Sequence, residues 1–174
     1  MPNVRPSQPL DLPVITAIYR HHVLHGTGTF EIEPPSLADM TTRRQDVLNK
    51  QLPWLVAEGE DGSILGYAYA NWFKPRPAYR FSAEDSIYVS DAARGQGIGR
   101  LLLDALCREC EAVGVRKLIA VIGDSTNAGS VGVHRAAGFA HVGTLSAVGW
   151  KFDRWLDVVM MEKSLGAGAS TSPE

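Results

Sequence analysis

Residues 88–102 read Tyr88-Val89-Ser90-Asp91-Ala92-Ala93-Arg94-Gly95-Gln96-Gly97-Ile98-Gly99-Arg100-Leu101-Leu102, and this run holds the strongest chemical signal in the sequence. A strand candidate leads into a loop with three glycines and then into an amphipathic helix. Glycines let backbone N–H groups turn inward and approach an anion closely, and a helix start adds partial positive charge, so the segment suits a diphosphate. Two familiar nucleotide patterns do not fit. A Walker loop needs Gly-Lys-Ser/Thr where Gly99-Arg100-Leu101 stands, and a dinucleotide fingerprint needs a glycine where Arg100 stands. A tight strand-to-helix turn with no ligand would also use such glycines.

Two other groups could do chemistry. Cys107 and Cys110 spell C-x-x-C, but they follow Leu101 to Leu106 inside a helical pattern, not at the strand-to-helix junction that lowers a thiol pKa. They read as packing residues, and no second pair exists to complete a zinc site. His21 and His25 stand one helical turn apart, with His22 between them. Without an H-E-x-x-H arrangement they read as a helix-end or interface cluster, and no metal is expected.

The elements around these residues follow from spacing. After a short strand around Val4, Asp11 can cap a helix whose apolar face is Ile15, Ile18, Tyr19, His22 and Val23, stopped by Gly26 and Gly28. Ser36 and Asp39 resemble a capping box for a second helix through about Leu48. Trp54–Ala57 and Ile64–Trp72 form a hairpin across Asp61-Gly62, and Lys74–Pro77 is an exposed loop. Tyr79–Ser90 reads as a strand, with Tyr79, Phe81, Ala83, Asp85, Ile87 and Val89 on its more apolar face unless a bulge swaps the faces after Glu84. A helix from Ile98 to about Val113, a buried strand Lys117–Gly123, a short helix Asn127–Ala137 closed by Gly138, and strands near Phe139–Leu145 and Trp155–Glu162 complete the chain. One domain spanning 1–165 is expected, with a small, polar tail at 166–174 expected to be disordered.

The run Arg94-Gly95-Gln96-Gly97-Ile98-Gly99 matches Arg/Gln-x-x-Gly-x-Gly/Ala, and here the sequence resembles the GNAT superfamily of N-acetyltransferases. Asn127 to Phe139 resembles the second CoA segment of that family, an Asn before a short helix that closes with Gly-Phe. Lys74-Pro75-Arg76-Pro77-Ala78-Tyr79, followed by Phe81, Ser82, Glu84 and Ile87-Tyr88-Val89, is similar to the phosphinothricin acetyltransferase branch, as are Pro53–Glu58, Ala120–Gly123 and Gly149–Asp157. The likeness runs from about Asp11 to Met161. Asp153 departs from it, standing where relatives commonly have Gly in a turn near the substrate loop.

The resemblance implies an α/β fold of GNAT type, with a mixed, mostly antiparallel central sheet flanked by helices and strands that splay beside the glycine loop. It implies acetyl-CoA as cosubstrate, held by Ile87, Tyr88 and Val89 along the strand, by Arg94, Gly95, Gln96, Gly97, Ile98, Gly99 and Arg100 at the pyrophosphate, and by Asn127. Glu84 is the expected base for the acceptor amine, which is mostly protonated at neutral pH, and the Val89 N–H the expected donor to the oxyanion. His134 stands where many relatives carry the Tyr that protonates the departing thiolate. The acceptor is expected to be a small amino-acid analogue such as phosphinothricin, methionine sulfoximine or methionine sulfone. One wall of its site would be Lys74, Arg76, Pro77, Ala78 and Tyr79, with Phe30 as an apolar lid. An acetyltransferase of peptide or protein N-termini and a non-catalytic acyl-CoA-binding module are the alternatives.

Composition narrows the partners. The 174 residues are 45% apolar, and 17 Lys plus Arg against 19 Asp plus Glu leave a formal charge of −2, so no overall basic field exists to hold nucleic acid or an anionic membrane. The N-terminus lacks a signal-peptide pattern and no run approaches the roughly 18 apolar residues of a membrane span, so a soluble, cytoplasmic protein is expected. A homodimer is expected, with no nucleic-acid or membrane partner.

Overall fold

Local chemistry starts and stops the elements of the computed structural model, which describes residues 1–174. In chain order these are β1 (Asn3–Pro6), α1 (Leu12–His25), α2 (Leu37–Asn49), β2 (Trp54–Glu58), β3 (Ile64–Trp72), β4 (Ser82–Val89), α3 (Ile98–Ala112), β5 (Lys117–Gly123), α4 (Ala128–Ala136), β6 (Ala140–Lys151) and β7 (Arg154–Ser164). Ser36 and Asp39 close the anticipated capping box: the Asp39 N–H donates to Ser36 Oγ, and Ser36 N–H and Oγ–H donate to the Asp39 carboxylate. Gly97, at φ 78°, starts α3 in a conformation that a side chain would resist.

The strands form one seven-stranded sheet in the order β1-β2-β3-β4-β5-β7-β6. Every neighbouring pair is antiparallel except β4–β5, which is parallel. Side-chain alternation along β4 sorts the helices. Tyr88 meets Tyr19 of α1 edge-on at 4.9 Å, whereas Asp85, of opposite parity, bonds His134 of α4. Leu102, Leu103 and Leu106 of α3 are fully buried in the one apolar cluster, with Ile15 and Val23 of α1 and Val56, Tyr67 and Leu118 of the sheet. No helix is long and apolar enough to cross a membrane.

Three expectations need correction. Asp11 precedes α1 without capping it, because its carboxylate accepts from the Arg5 guanidinium at 2.8 and 3.0 Å and from the Gln8 N–H at 2.7 Å. The strand anticipated from Tyr79 begins at Ser82, since Pro77 starts a 3₁₀ turn over Pro77–Tyr79. The two faces assigned along β4 hold, since no bulge interrupts its pairing with β3 from Ala83 to Val89. The last hairpin is much longer than its two short runs suggested: β6 continues through two register shifts, at His141/Gly143 and Leu145/Gly149, that spoil its alternation. Its turn holds both Phe152 (φ 52°) and Asp153 (φ 55°) left-handed, a conformation that Asp tolerates where Gly is usual.

Candidate active site

The site begins where β4 and β5 part. Their parallel pairing covers Ser82–Asp85 against Lys117–Ala120 and stops there. Along β4 the bonds Phe73 N–H to Ser82 O and Ser90 N–H to Leu65 O assign the even residues to β3, which turns the backbone of Ile87 and Val89 toward β5. The Asp124 N–H to Asp157 O bond does the same on β5, turning Val121 and Gly123 toward the gap. Ile87 and Val89 thus present strand edges to a cleft of about 1140 Å³. Glu84, Gly123 and Phe30 border it on the α1 side of the sheet, and Asp85 and His134 on the α4 side.

Ile87, Tyr88, Val89, Arg94, Gly95, Gly97, Ile98, Gly99, Arg100 and Asn127 all line this cleft. Gly95 and Gly97 have φ of 73° and 78°, and a Cβ on either would meet no protein atom within 4 Å, so their backbone faces open space. The first N–H groups of α3 lack intrahelical acceptors, as at any helix start, and add donors to that surface. Arg94 pairs with Asp91 at 3.1 Å; Arg100 holds Asp104 at 2.7 Å and the Ala136 carbonyl. Gln96 lies outside the lining, its amide donating to the Ala92 carbonyl at 3.0 Å. Asn127 caps α4 by accepting from the Ser130 N–H. This arrangement fits a diphosphate and an extended arm running along a strand edge.

Glu84 lines the cleft and its carboxylate makes no hydrogen bond within the chain. Burial, then the neighbouring Asp85 charge, pushes its pKa up, and Lys74 partly offsets this. A carboxylate so placed is a better proton acceptor near neutral pH. His134 lines the other side, its Nε2 2.8 Å from Asp85 Oδ2 and its Nδ1 2.7 Å from the Ser130 carbonyl. Both ring nitrogens are therefore already engaged.

The structure does not gather the expected acceptor residues in one place. Phe30 lines the cleft, packed against Gly123 and Gly149. Lys74, Arg76, Pro77, Ala78 and Tyr79 form an exposed segment ahead of β4, outside the lining, with Tyr79 stacked edge-on to Phe73 and Lys74 near enough to act on Glu84. Arg80 is tied to Glu174 at 2.6 Å. Cys107 and Cys110 are free and buried in α3, their thiols pushed up chiefly by burial. No group of three His, Cys, Asp or Glu side chains is arranged to hold a metal ion.

Sequence reading missed two features. His22, next to the helix-end histidines, donates from Nε2 to the Val89 carbonyl at 2.8 Å and fastens α1 to the cleft-facing edge of β4; burial lowers its pKa, so it acts as a neutral donor. Arg154 also lines the cleft, held by the buried Asp124. The only advance signal for His22 was its place on the apolar face of α1.

Comparison with known proteins agrees with this geometry. Residues 16–139 match the acetyltransferase (GNAT) family model. Phosphinothricin N-acetyltransferase of Alcaligenes faecalis is 53% identical over 94% of this chain and 83% of that protein. An L-methionine sulfoximine/L-methionine sulfone acetyltransferase of Pseudomonas aeruginosa is 38% identical over 94% of each chain. The crystal structure of a GNAT superfamily phosphinothricin acetyltransferase from Sinorhizobium meliloti in complex with acetyl-CoA superposes with a TM-score of 0.97 at 45% identity, covering 99% of this chain and 93% of that one. A mixed sheet parted beside a glycine loop, a family match over most of the chain and relatives at this identity leave one assignment: the chain belongs to the acetyltransferase (GNAT) family.

Proposed function

We propose that the enzyme transfers the acetyl group of acetyl-CoA to the α-amine of a small amino-acid analogue such as phosphinothricin, methionine sulfoximine or methionine sulfone. The observation that carries the chemistry is Glu84, a carboxylate without a hydrogen-bond partner at the point where the strands part, five residues before an N–H that faces the same cleft. In this reading the N–H groups of Gly95 to Arg100 take the pyrophosphate and the edges of Ile87 and Val89 take the pantetheine arm. Glu84 accepts the ammonium proton, the freed amine forms the C–N bond as the C–S bond breaks, the second amine proton is lost as the departing CoA thiolate takes up a proton from His134 or water, and the Val89 N–H stabilises the negative charge on the acetyl oxygen. His134, engaged by Asp85 and Ser130, supplies positive charge on the thiolate side.

The names of the relatives support the acceptor class, and Phe30 provides an apolar surface for the acceptor's hydrocarbon portion. Of Lys74, Arg76, Pro77, Ala78 and Tyr79, which lie outside the cleft lining, Lys74 is the one near enough to act on Glu84. The enzyme works as a homodimer, a reading supported by the exposed apolar side chains of the β6–β7 hairpin. Thiol release from acetyl-CoA with a panel of free amino-acid analogues and N-terminal peptides tests the function. The analogues should turn over faster; faster acetylation of peptides than of every analogue would move the assignment to protein N-termini.

A further inference from the structure

Three Lys or Arg side chains line the cleft, and two of them, Arg94 and Arg100, flank the glycine loop and are paired with Asp91 and Asp104. The third is Arg154, at the start of β7. Its Nη2 donates to Asp124 Oδ2 at 2.9 Å, while its Nε and Nη1 make no hydrogen bond within the chain and the side chain is 51% exposed. The same Asp124 oxygen accepts from Thr27 Oγ1 at 3.1 Å, which places the guanidinium beside the loop that carries Phe30. Asp124 is itself rigidly set: it is buried, stands at φ 70°, and its Oδ1 accepts from the Thr126 N–H at 3.0 Å. A left-handed Asp after β5 costs backbone energy and aims its carboxylate at Thr27 and Arg154. Arg154 is thus oriented on one edge of its fork and open on the other.

An amino-acid acceptor brings an α-carboxylate next to the amine that must reach Glu84. Glu84 repels that carboxylate, so a cation elsewhere in the same cleft is needed to hold it, and a guanidinium edge meets a carboxylate with two parallel N–H donors. We infer that Arg154, positioned by Asp124, is a specificity-determining residue that binds the α-carboxylate of the acceptor. This rests on the amino-acid reading above. It explains how one site could take phosphorus and sulfur analogues alike, because the group recognised is the one they share.

The test compares methionine sulfone with its α-carboxamide in the wild type, Arg154→Gln, Arg154→Lys and Asp124→Asn. Arg154→Gln should raise KM for the acid about 10- to 100-fold, leaving KM for the carboxamide and for acetyl-CoA within about twofold. Arg154→Lys should not rescue, since an ammonium cannot hold Asp124 and present a fork together. Asp124→Asn should raise KM for the acid in the same direction by a smaller factor. An equal rise for acid and carboxamide would assign Arg154 to the sulfone oxygens and overturn the inference, as would an unchanged KM for both. If the wild type acetylates neither compound nor any other free amino acid, the functional reading falls and this inference with it; an active wild type with an indifferent Arg154→Gln removes this inference alone.

Discussion

His134 Nε2 lies 2.8 Å from Asp85 Oδ2 in a pair whose side chains are only 5% and 2% exposed. Since the Ser130 carbonyl accepts from Nδ1, the ring faces an acceptor at each nitrogen, the arrangement that suits an imidazolium. Burial opposes that charge, but the hydrogen bond and attraction from Asp85, with help from Ser130, outweigh it and raise the His134 pKa above the ordinary histidine value. A histidine whose pKa is raised by folding stabilises the fold fully below its unfolded pKa, and this contribution fades as pH rises through the raised folded value. Asp85→Asn should therefore lower the His134 titration midpoint in an NMR experiment. It should also cost about 1–3 kcal/mol in urea denaturation at acidic to neutral pH, with the gap to wild type narrowing at alkaline pH. An unchanged midpoint would sink this account of the pair.

Glu84 sets stability against function. Its raised pKa means that ionising it at neutral pH opposes folding: its favourable contribution is present below the unfolded pKa and lost as pH rises through the folded one. Glu84→Gln should melt no lower than wild type at pH 7 while turnover falls by roughly 10² to 10⁴. The acidic limb of the kcat/KM profile should disappear in the variant, and activity should recover partly as pH rises and free amine becomes available. A fully active Glu84→Gln at neutral pH would place the base elsewhere.

Gly97 and Gly114 separate ligand contact from backbone strain. Both are left-handed, at φ 78° and 90°, and neither has an atom within 4 Å of a would-be Cβ, but only Gly97 lies in the cleft. Valine at either position should cost about 1–2 kcal/mol in stability from the backbone alone. Calorimetric titration with acetyl-CoA should then find at least a tenfold weaker complex for Gly97→Val and wild-type affinity for Gly114→Val. Equal affinities in the two folded variants would remove the glycine loop from the binding surface.

What the sequence made legible is what its signals settle within a few residues. The Ser36–Asp39 box spans only four residues, and the Gly95–Gly99 turn carries its own backbone requirement. Contacts decided by the sheet were hidden. His22 meets Val89 at a sequence separation of 67, and Arg154 meets Asp124 at a separation of 30, so neither spacing marks them as partners. The bulges of β6 hid a strand by breaking the alternation on which strands are recognised, and Pro77 gave Tyr79 a turn where its aromatic ring suggested a strand. Lys74 to Tyr79 were legible as a motif, but motif membership does not say which wall a residue joins.

Phe30 is fixed by what its neighbours lack. A Cβ on Gly149 would run into the Phe30 ring, and one on Gly123 would strike both that ring and the Thr27 carbonyl oxygen. Lys151 reinforces the same loop by donating from Nζ to the Gly26 and Thr29 carbonyls, each at 2.8 Å. Gly149→Ala should displace the ring and change KM for the acceptor severalfold while acetyl-CoA affinity holds. Gly123→Ala, which must move backbone, should cost about 1–3 kcal/mol in a thermal or urea melt. A silent Gly149→Ala would show that the Phe30 ring can move without consequence for the acceptor.

The exposed apolar side chains of the last hairpin set the remaining prediction. Val142, Leu145, Val148, Trp150, Phe152 and Trp155 are each more than half exposed, and the two tryptophans meet edge-on at 5.3 Å. β6 is also an end strand of the sheet, with one edge free to pair. Trp150 and Trp155 are paired and share one face of the hairpin; an exposed aromatic pair on a monomer surface marks an association site, and two copies related by a twofold axis can cover it with one self-complementary contact. Sedimentation velocity should therefore find a dimer at micromolar concentration. Trp150→Lys and Trp155→Lys should each shift it toward monomer without lowering the melting temperature extrapolated to low protein concentration, because neither side chain is buried in the isolated fold. A wild-type protein that sediments as a monomer at every concentration would leave the hairpin without a second copy to cover it.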